Sequence, residues 1–234
     1  MAYEEIDSIK SMLENVEEKL AYEKICGLNE DEKKEYDILL KKLEESNSSK
    51  QSTHDKGKAL EEIATFVLKA SHIFDVYGNV RTSTNELDQL VKVKEKDRCL
   101  IGWNIIDKRY SNFIGECKNY DSKVSVTYVG KICSLLLTSQ NKLCILFSYY
   151  GVTGEKWTDG TGLIKKFYLS KEKEEDRFCI IDFNINDFKE ISNGGNLLTI
   201  ISNKILALKN DTSYYDLLSP HEATAEIIKC QKNE

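Results

Sequence analysis

Residues 111–122 read "SNFIGECKNYDS". An apolar lead-in, Phe113-Ile114, runs into Glu116, Cys117 and Lys118, and the chain then turns polar. The stretch "FIGECKN" predicts a short strand. Side chains on a strand alternate between faces, so Glu116 and Lys118 point to one side of the sheet while Cys117 points into the core. Glu-x-Lys alone means little, since Glu17-Glu18-Lys19 and Glu32-Lys33-Lys34 offer similar charges on helix surfaces. What sets residues 116–118 apart is the strand context and two acids upstream. Asp88 stands in "TNELDQLV", at the end of another predicted strand, and Glu61 lies on a helix opened by "KGKALEE".

Working toward the C-terminus, "SVTYVGKICSLLLTSQN" (125–141) predicts a buried helix. "KLCILFSYYG" (142–151) predicts a central strand, apolar at nearly every position as expected when both faces are covered. "TDGTGLIKKFYLSK" reads as a helix, "RFCIIDFN" as a strand and "NLLTIISNKILALK" as a helix with two apolar faces; the tail "CQKNE" is expected to fray. Toward the N-terminus, "KALEEIATFVLKASHIF" is an amphipathic helix carrying Leu60, Ile63, Ala64, Val67 and Leu68 on one face. "DVYGNVRTSTNELDQLVKV" reads as two strands joined by a hairpin, and "DRCLIGWNIIDKRYSN" is either strand or loop. The order predicts an α/β fold: a mixed central β-sheet flanked by helices, with a core of roughly 150 residues.

Ahead of this core, Ile6, Ile9, Leu13, Val16 and Leu20 recur at helical spacing, Gly27 stops the run, and "LNEDEKKEY" restarts a helix. Asn29 reads as its N-cap with Glu32 reaching back, and Tyr36, Leu39, Leu40 and Leu43 continue the apolar stripe. A helical hairpin over residues 1–46 follows, then a Ser-rich linker at 47–56 and the main domain at 57–234. The hairpin cannot bury its narrow seam alone. It needs the main domain, a second copy of the chain or a partner.

Composition excludes several classes. No apolar run approaches the ~18–20 residues that span a bilayer, and the acidic N-terminus lacks the basic start and apolar centre of a signal peptide. Seven Cys, an odd count with no CxxC pair, and three scattered His argue against both a disulfide framework and a structural zinc site. Cys117, Cys133, Cys144 and Cys179 sit in apolar segments as small core residues, so a reducing, cytoplasmic setting is expected. The net charge of −6 hides a pattern. Residues 1–56 carry 9 basic against 15 acidic side chains (−6), residues 57–170 carry 16 against 12 (+4), and residues 171–234 carry 8 against 12 (−4). A basic middle permits nucleic-acid binding without demanding it.

The ordered set of Lys56-Gly57-x-x-Leu60-Glu61, Glu86-x-Asp88 and Glu116-x-Lys118, followed by a helix and the strand ending in "SYYGVTGE", resembles the PD-(D/E)xK nuclease superfamily. Within it, the chain is similar to restriction-endonuclease-like domains of the Mrr (type IV restriction) kind. The likeness covers about residues 56–190; its motifs are short, Leu87 stands where the family often has Pro, and the N-terminal hairpin lies outside the pattern. The resemblance implies a Mg2+-dependent endonuclease, with Mn2+ substituting, that hydrolyses DNA phosphodiesters in restriction or anti-phage defence. RNA is not excluded as substrate. It implies Asp88, Glu116 and the main-chain carbonyl of Cys117 as metal ligands, and Lys118 as the group that orients or deprotonates the attacking water. Neighbouring carboxylates keep Lys118 charged, which favours the orienting role. Glu61 would act through water or a second cation, with Glu86 as its competitor. The alternative is a catalytically idle, nuclease-like binding or assembly module, a homo-oligomer held through the N-terminal helices. "YYGVTGEKW" (149–157) adds aromatics beyond the central strand that suit either base contact or a self-packed loop.

Overall fold

The computed structural model describes residues 26–48, 51–81, 86–102, 106–154 and 158–210. Its centre is a five-stranded sheet: β1 (Phe74–Arg81), β2 (Glu86–Val93), β3 (Asn112–Lys118), β4 (Leu143–Ser148) and β5 (Cys179–Phe183), side by side in chain order. β1 and β2 form the expected antiparallel hairpin, with Val76 opposite Val91 and Arg81 opposite Glu86. β3 is antiparallel to β2, pairing Leu90 with Ile114 and Gln89 with Gly115. β4 and β5 are then added in parallel, so the sheet is mixed as the sequence predicts. Parallel neighbours need crossover connections, and helices supply them.

Helices cover both faces. α1 (Glu30–Ser48) and α2 (Thr53–Ala70) precede the sheet, and a single turn, α3 (Cys99–Gly102), lies between β2 and β3. α4 (Val126–Ser139) and α5 (Gly160–Leu169) make the two crossovers, and α6 (Ile185–Ser192) and α7 (Leu197–Asn210) follow β5. One apolar cluster joins Leu60, Ile63 and Val67 of α2 to Val91, Phe113, Ile145, Phe147 and Phe183 of the sheet. Across the sheet, Val129, Ile132 and Leu136 of α4 and Ile164 of α5 pack on Ile114, Cys144, Leu146 and Ile180. With both faces covered, all six residues of β4 are buried, which is why its sequence shows no alternation.

Of the N-terminal hairpin, the second arm is α1; the first arm lies outside the described residues, as does the tail 230–234. Asn29 caps α1 as expected, its Oδ1 accepting from Glu32 N (3.0 Å) while Glu32 Oε2 accepts from Asn29 N (2.9 Å). The seam of α1 is used within the chain. Tyr36, Leu40 and Leu43 are buried in the same apolar cluster as α2 and the sheet, and Tyr36 donates its hydroxyl hydrogen to the Phe188 carbonyl of α6 at 2.8 Å.

Three local features depart from the sequence reading. α2 begins at Thr53, not Gly57, because Ser52 caps it: Ser52 Oγ accepts from Asp55 N at 3.2 Å. The undecided stretch 97–112 is neither a long strand nor a plain loop; its described part holds α3 and a 3-10 turn at Lys108–Tyr110. Helix α6 has no counterpart in the sequence reading, since a short "INDFKEIS" after a strand offers little periodicity. Its start is fixed by a capping box in which the Asn184 and Asp187 side chains each accept from the other's end of the first turn.

Gly115 in β3 has a steric reason. A Cβ there would overlap Oε1 of Gln89 on β2, whose Nε2 donates to Thr65 Oγ1 of α2 at 2.8 Å. Gly115→Ala is expected to push Gln89 off Thr65 and cost about 2–3 kcal/mol, from overpacking plus one lost hydrogen bond. Urea unfolding checks this, and Gly115→Ala combined with Gln89→Ala should recover part of the loss.

Candidate active site

The antiparallel pairing of β2 with β3 runs from Lys92–Asn112 to Gln89–Gly115, and Asp88 and Glu116 lie one residue beyond its last pair. Their side chains meet at the ends of these two inner strands, where Lys118, two residues beyond Glu116, contacts both. Two carboxylates set opposite one another repel. The structure resolves this through Lys118: its Nζ lies 3.0 Å from Asp88 Oδ2, 3.0 Å from Glu116 Oε1 and 2.9 Å from the Cys117 carbonyl oxygen. Asp88 Oδ2 also accepts from Cys117 N at 2.8 Å, which ties the ends of β2 and β3 together. Burial works against the Lys118 charge, but Glu116 and Asp88 overcome it and the pKa is raised. Lys118 is therefore a firmly protonated ammonium, unsuited to abstracting a proton in this arrangement.

Cys117 turns the other way, as alternation requires. It is buried in the opposite apolar cluster, and burial pushes its thiol pKa well up, so Cys117 meets the site through its backbone N–H and carbonyl alone. Glu61 projects from α2 on the exposed side. Its carboxyl pKa is raised, first by burial and then by the charge of Asp88, with Lys118 opposing. Glu61 thus shares the electrostatic field of the cluster without a direct hydrogen bond to Asp88, Glu116 or Lys118. Glu86 sits at the turn end of the hairpin, two residues before Asp88, exposed, its Oε1 3.4 Å from Arg81 Nε. Glu86 is a surface neighbour of Arg81.

Sequence reasoning missed Tyr128. It occupies the first turn of α4, the crossover helix that starts beside the end of β3, and its hydroxyl donates to Glu116 Oε1 at 2.5 Å. Its ring centroid lies 5.3 Å from Lys118 Nζ and 5.8 Å from Lys131 Nζ. Burial and then the Glu116 carboxylate raise the Tyr128 pKa, so it remains a donor. The available signal is its position, the third residue of the helix that follows Glu-x-Lys.

Among the described residues no group of three or more His, Cys, Asp or Glu side chains forms a metal-ion cluster. The donor set at hand is different: two carboxylates and one carbonyl, all hard oxygens, meeting at one point now occupied by an ammonium. Glu116 Oε2 is buried with no hydrogen-bond partner among the described residues, an anionic oxygen left to be satisfied. Two carboxylates contact one ammonium directly, an excess of negative charge to which Glu61 adds at longer range. Such a set fits Mg2+, which takes one or two carboxylates and keeps several waters.

No protein-family model matches the sequence, and comparison with curated proteins and with solved structures finds no significant match. The structure by itself displays an α/β fold with a mixed sheet between helices, and no described helix is long and apolar enough to cross a membrane.

Proposed function

We propose that the chain is a metal-dependent endonuclease that hydrolyses phosphodiester bonds of DNA, in the restriction or defence setting implied by its likeness to Mrr-type domains. The observation that carries this reading is the convergence of Asp88 Oδ2, Glu116 Oε1 and the Cys117 carbonyl within 3.0 Å of one cationic nitrogen. Three hard oxygens that approach one cation so closely support a reading in which they hold a metal ion. In this reading Asp88, Glu116 and the Cys117 carbonyl bind Mg2+, and residues 57–234 form the unit that carries the site.

Bound there, Mg2+ would supply an activated water and charge stabilisation for the leaving oxygen. The protein's own residues do the rest. Asp88 and Glu116 set the position by rigid attachment to paired strands. Lys118, released from its carboxylates, offers a fixed positive charge to the scissile phosphate and orients the water. Tyr128 holds the Glu116 carboxylate in one rotamer. Glu61, at the rim, orders water next to the cluster.

The test is nicking of a supercoiled plasmid by the full chain in Mg2+ or Mn2+ against EDTA, alongside calorimetric titration of the protein with Mn2+ alone. Metal-dependent nicking with one bound Mn2+ is expected. No cutting of plasmid, single-stranded DNA or RNA in either metal would refute the reading. An assembly role for the N-terminal helices draws no support from α1, whose seam is buried against α2 and α6.

A further inference from the structure

We propose that the site acts on unpaired strands, holding an extruded or single-stranded base on Tyr120 and a neighbouring one on Tyr150. The proposal rests on the nuclease reading and names its substrate class. Tyr120 follows β3 by two residues, is 42 % exposed, and meets the Tyr128 ring edge to face at a centroid separation of 6.3 Å. Tyr128 in turn touches Glu116 and lies over Lys118. An open aromatic face thus stands one ring away from the carboxylate–lysine cluster.

A second open face lies on the next strand. Ser148 at the end of β4 pairs with Lys118, and two residues later Tyr150, also 42 % exposed, stands edge to face on Tyr149 at 4.8 Å. The two aromatic loops are fastened together by backbone bonds, Val124 N to Gly151 O at 2.8 Å and Thr153 N to Val124 O at 2.9 Å. Gly151 makes the turn at φ 74°, where Asp182 leaves little room for a side chain. Tyr120 and Tyr150 therefore stand on two loops, after β3 and after β4, that are joined by backbone hydrogen bonds.

The charge nearby suits a phosphate backbone. Lys131 lies 5.8 Å from the Tyr128 centroid, and Lys123 on the Tyr120 loop is exposed. The acid on that loop, Asp121, is engaged by the buried Lys56. Tyrosine faces bind bases only where the bases are unstacked. A paired duplex covers each base face with its neighbours, whereas a single strand, flap or bubble presents them. Stacking on an aromatic ring is sequence-tolerant.

The experiment is fluorescence anisotropy in EDTA, so that cutting plays no part. It uses the full chain with labelled 20-nucleotide strands of DNA, RNA and duplex DNA, plus a DNA strand with abasic positions. Tyr120→Ala and Tyr150→Ala are each expected to weaken single-strand binding by about 5- to 150-fold, the equivalent of ~1–3 kcal/mol per stacked base. Duplex binding should change less than twofold, Tyr120→Trp should keep wild-type affinity, and the Tyr120 effect should vanish on the abasic strand. The DNA and RNA arms show which sugar the rim accepts. Equal losses for single strand and duplex, no loss at all, or no binding by wild type would overturn the proposal. Single-strand binding that responds to Tyr120 without any cutting keeps this inference and removes the nuclease reading. Cutting of duplex that ignores Tyr120 does the reverse.

Discussion

Asp88→Asn is expected to lower metal-dependent cleavage by about 10³-fold, equivalent to ~4 kcal/mol of transition-state stabilisation, while leaving the fold intact. The amide side chain of this variant would retain an oxygen to accept from Cys117 N, so the tie between β2 and β3 survives. It would also relieve repulsion between two carboxylates set across neighbouring strands, so the melting temperature should hold or rise slightly. Lys118→Ala should cost about 10²–10⁴ in rate, as loss of a positioned group does. It differs from Asp88→Asn in stability. Removing the ammonium leaves Asp88 and Glu116 facing each other uncompensated, and the melting temperature should fall. Glu86→Gln serves as the control, with less than a twofold change expected for an exposed acid paired with Arg81 beside the hairpin turn. Kinetics on plasmid and thermal melts of each variant check the set. Full activity in Asp88→Asn, with Mn2+ binding unchanged, would dissociate the site from the reaction.

Lys204→Ala is expected to be the most damaging change away from the site, costing about 3–5 kcal/mol at pH 8. Lys204 Nζ lies 2.7 Å from Asp187 Oδ2 and 2.5 Å from the Asp182 carbonyl, so α7 is pinned to both α6 and β5. Asp187 is only 2 % exposed, and burial pushes its pKa up to about 6 although Lys204 pulls it down. A carboxyl whose folded pKa lies above its unfolded value of 3.8 contributes stability that is complete below about pH 4 and lost as pH rises through 6. At ~1.4 kcal/mol per unit this amounts to about 3 kcal/mol across the window. Without Lys204 the carboxyl holds its proton to still higher pH. The cost of Lys204→Ala should therefore grow with pH, small near pH 4.5 and largest at pH 8. Urea unfolding at the two values measures it, and a cost independent of pH would show that packing, not charge, dominates.

Much of this architecture is legible in the chain. The unbroken apolar run 143–147 announces a doubly covered strand, and Asn29 with Glu32 announces the start of α1. Asp88, Glu116 and Lys118 can be named because strand alternation fixes which side chains share a face. The remainder depends on contacts that local patterns do not encode. Tyr128 reaches Glu116 only because the crossover helix α4 begins beside the end of β3, a consequence of parallel pairing with β4. The choice between Glu61 and Glu86 is open in the sequence because strand alternation puts Glu86 on the same face as Asp88; the hairpin register adds that Glu86 stands opposite Arg81. Helix α6 is too short for periodicity to show, and its capping box looks like loop sequence until Asp187 is found buried.

The bridge that Lys118 makes between Asp88 and Glu116 has a bearing on how the chain folds. Structural zinc domains cannot fold until their ion arrives, because nothing else neutralises the ligands. Here the polypeptide brings its own counter-charge, tethered one peptide away from the carbonyl it shares. Newly made chains can thus reach their final shape without any added ion, and under the proposed function metal loading would exchange one cation for another on a finished scaffold.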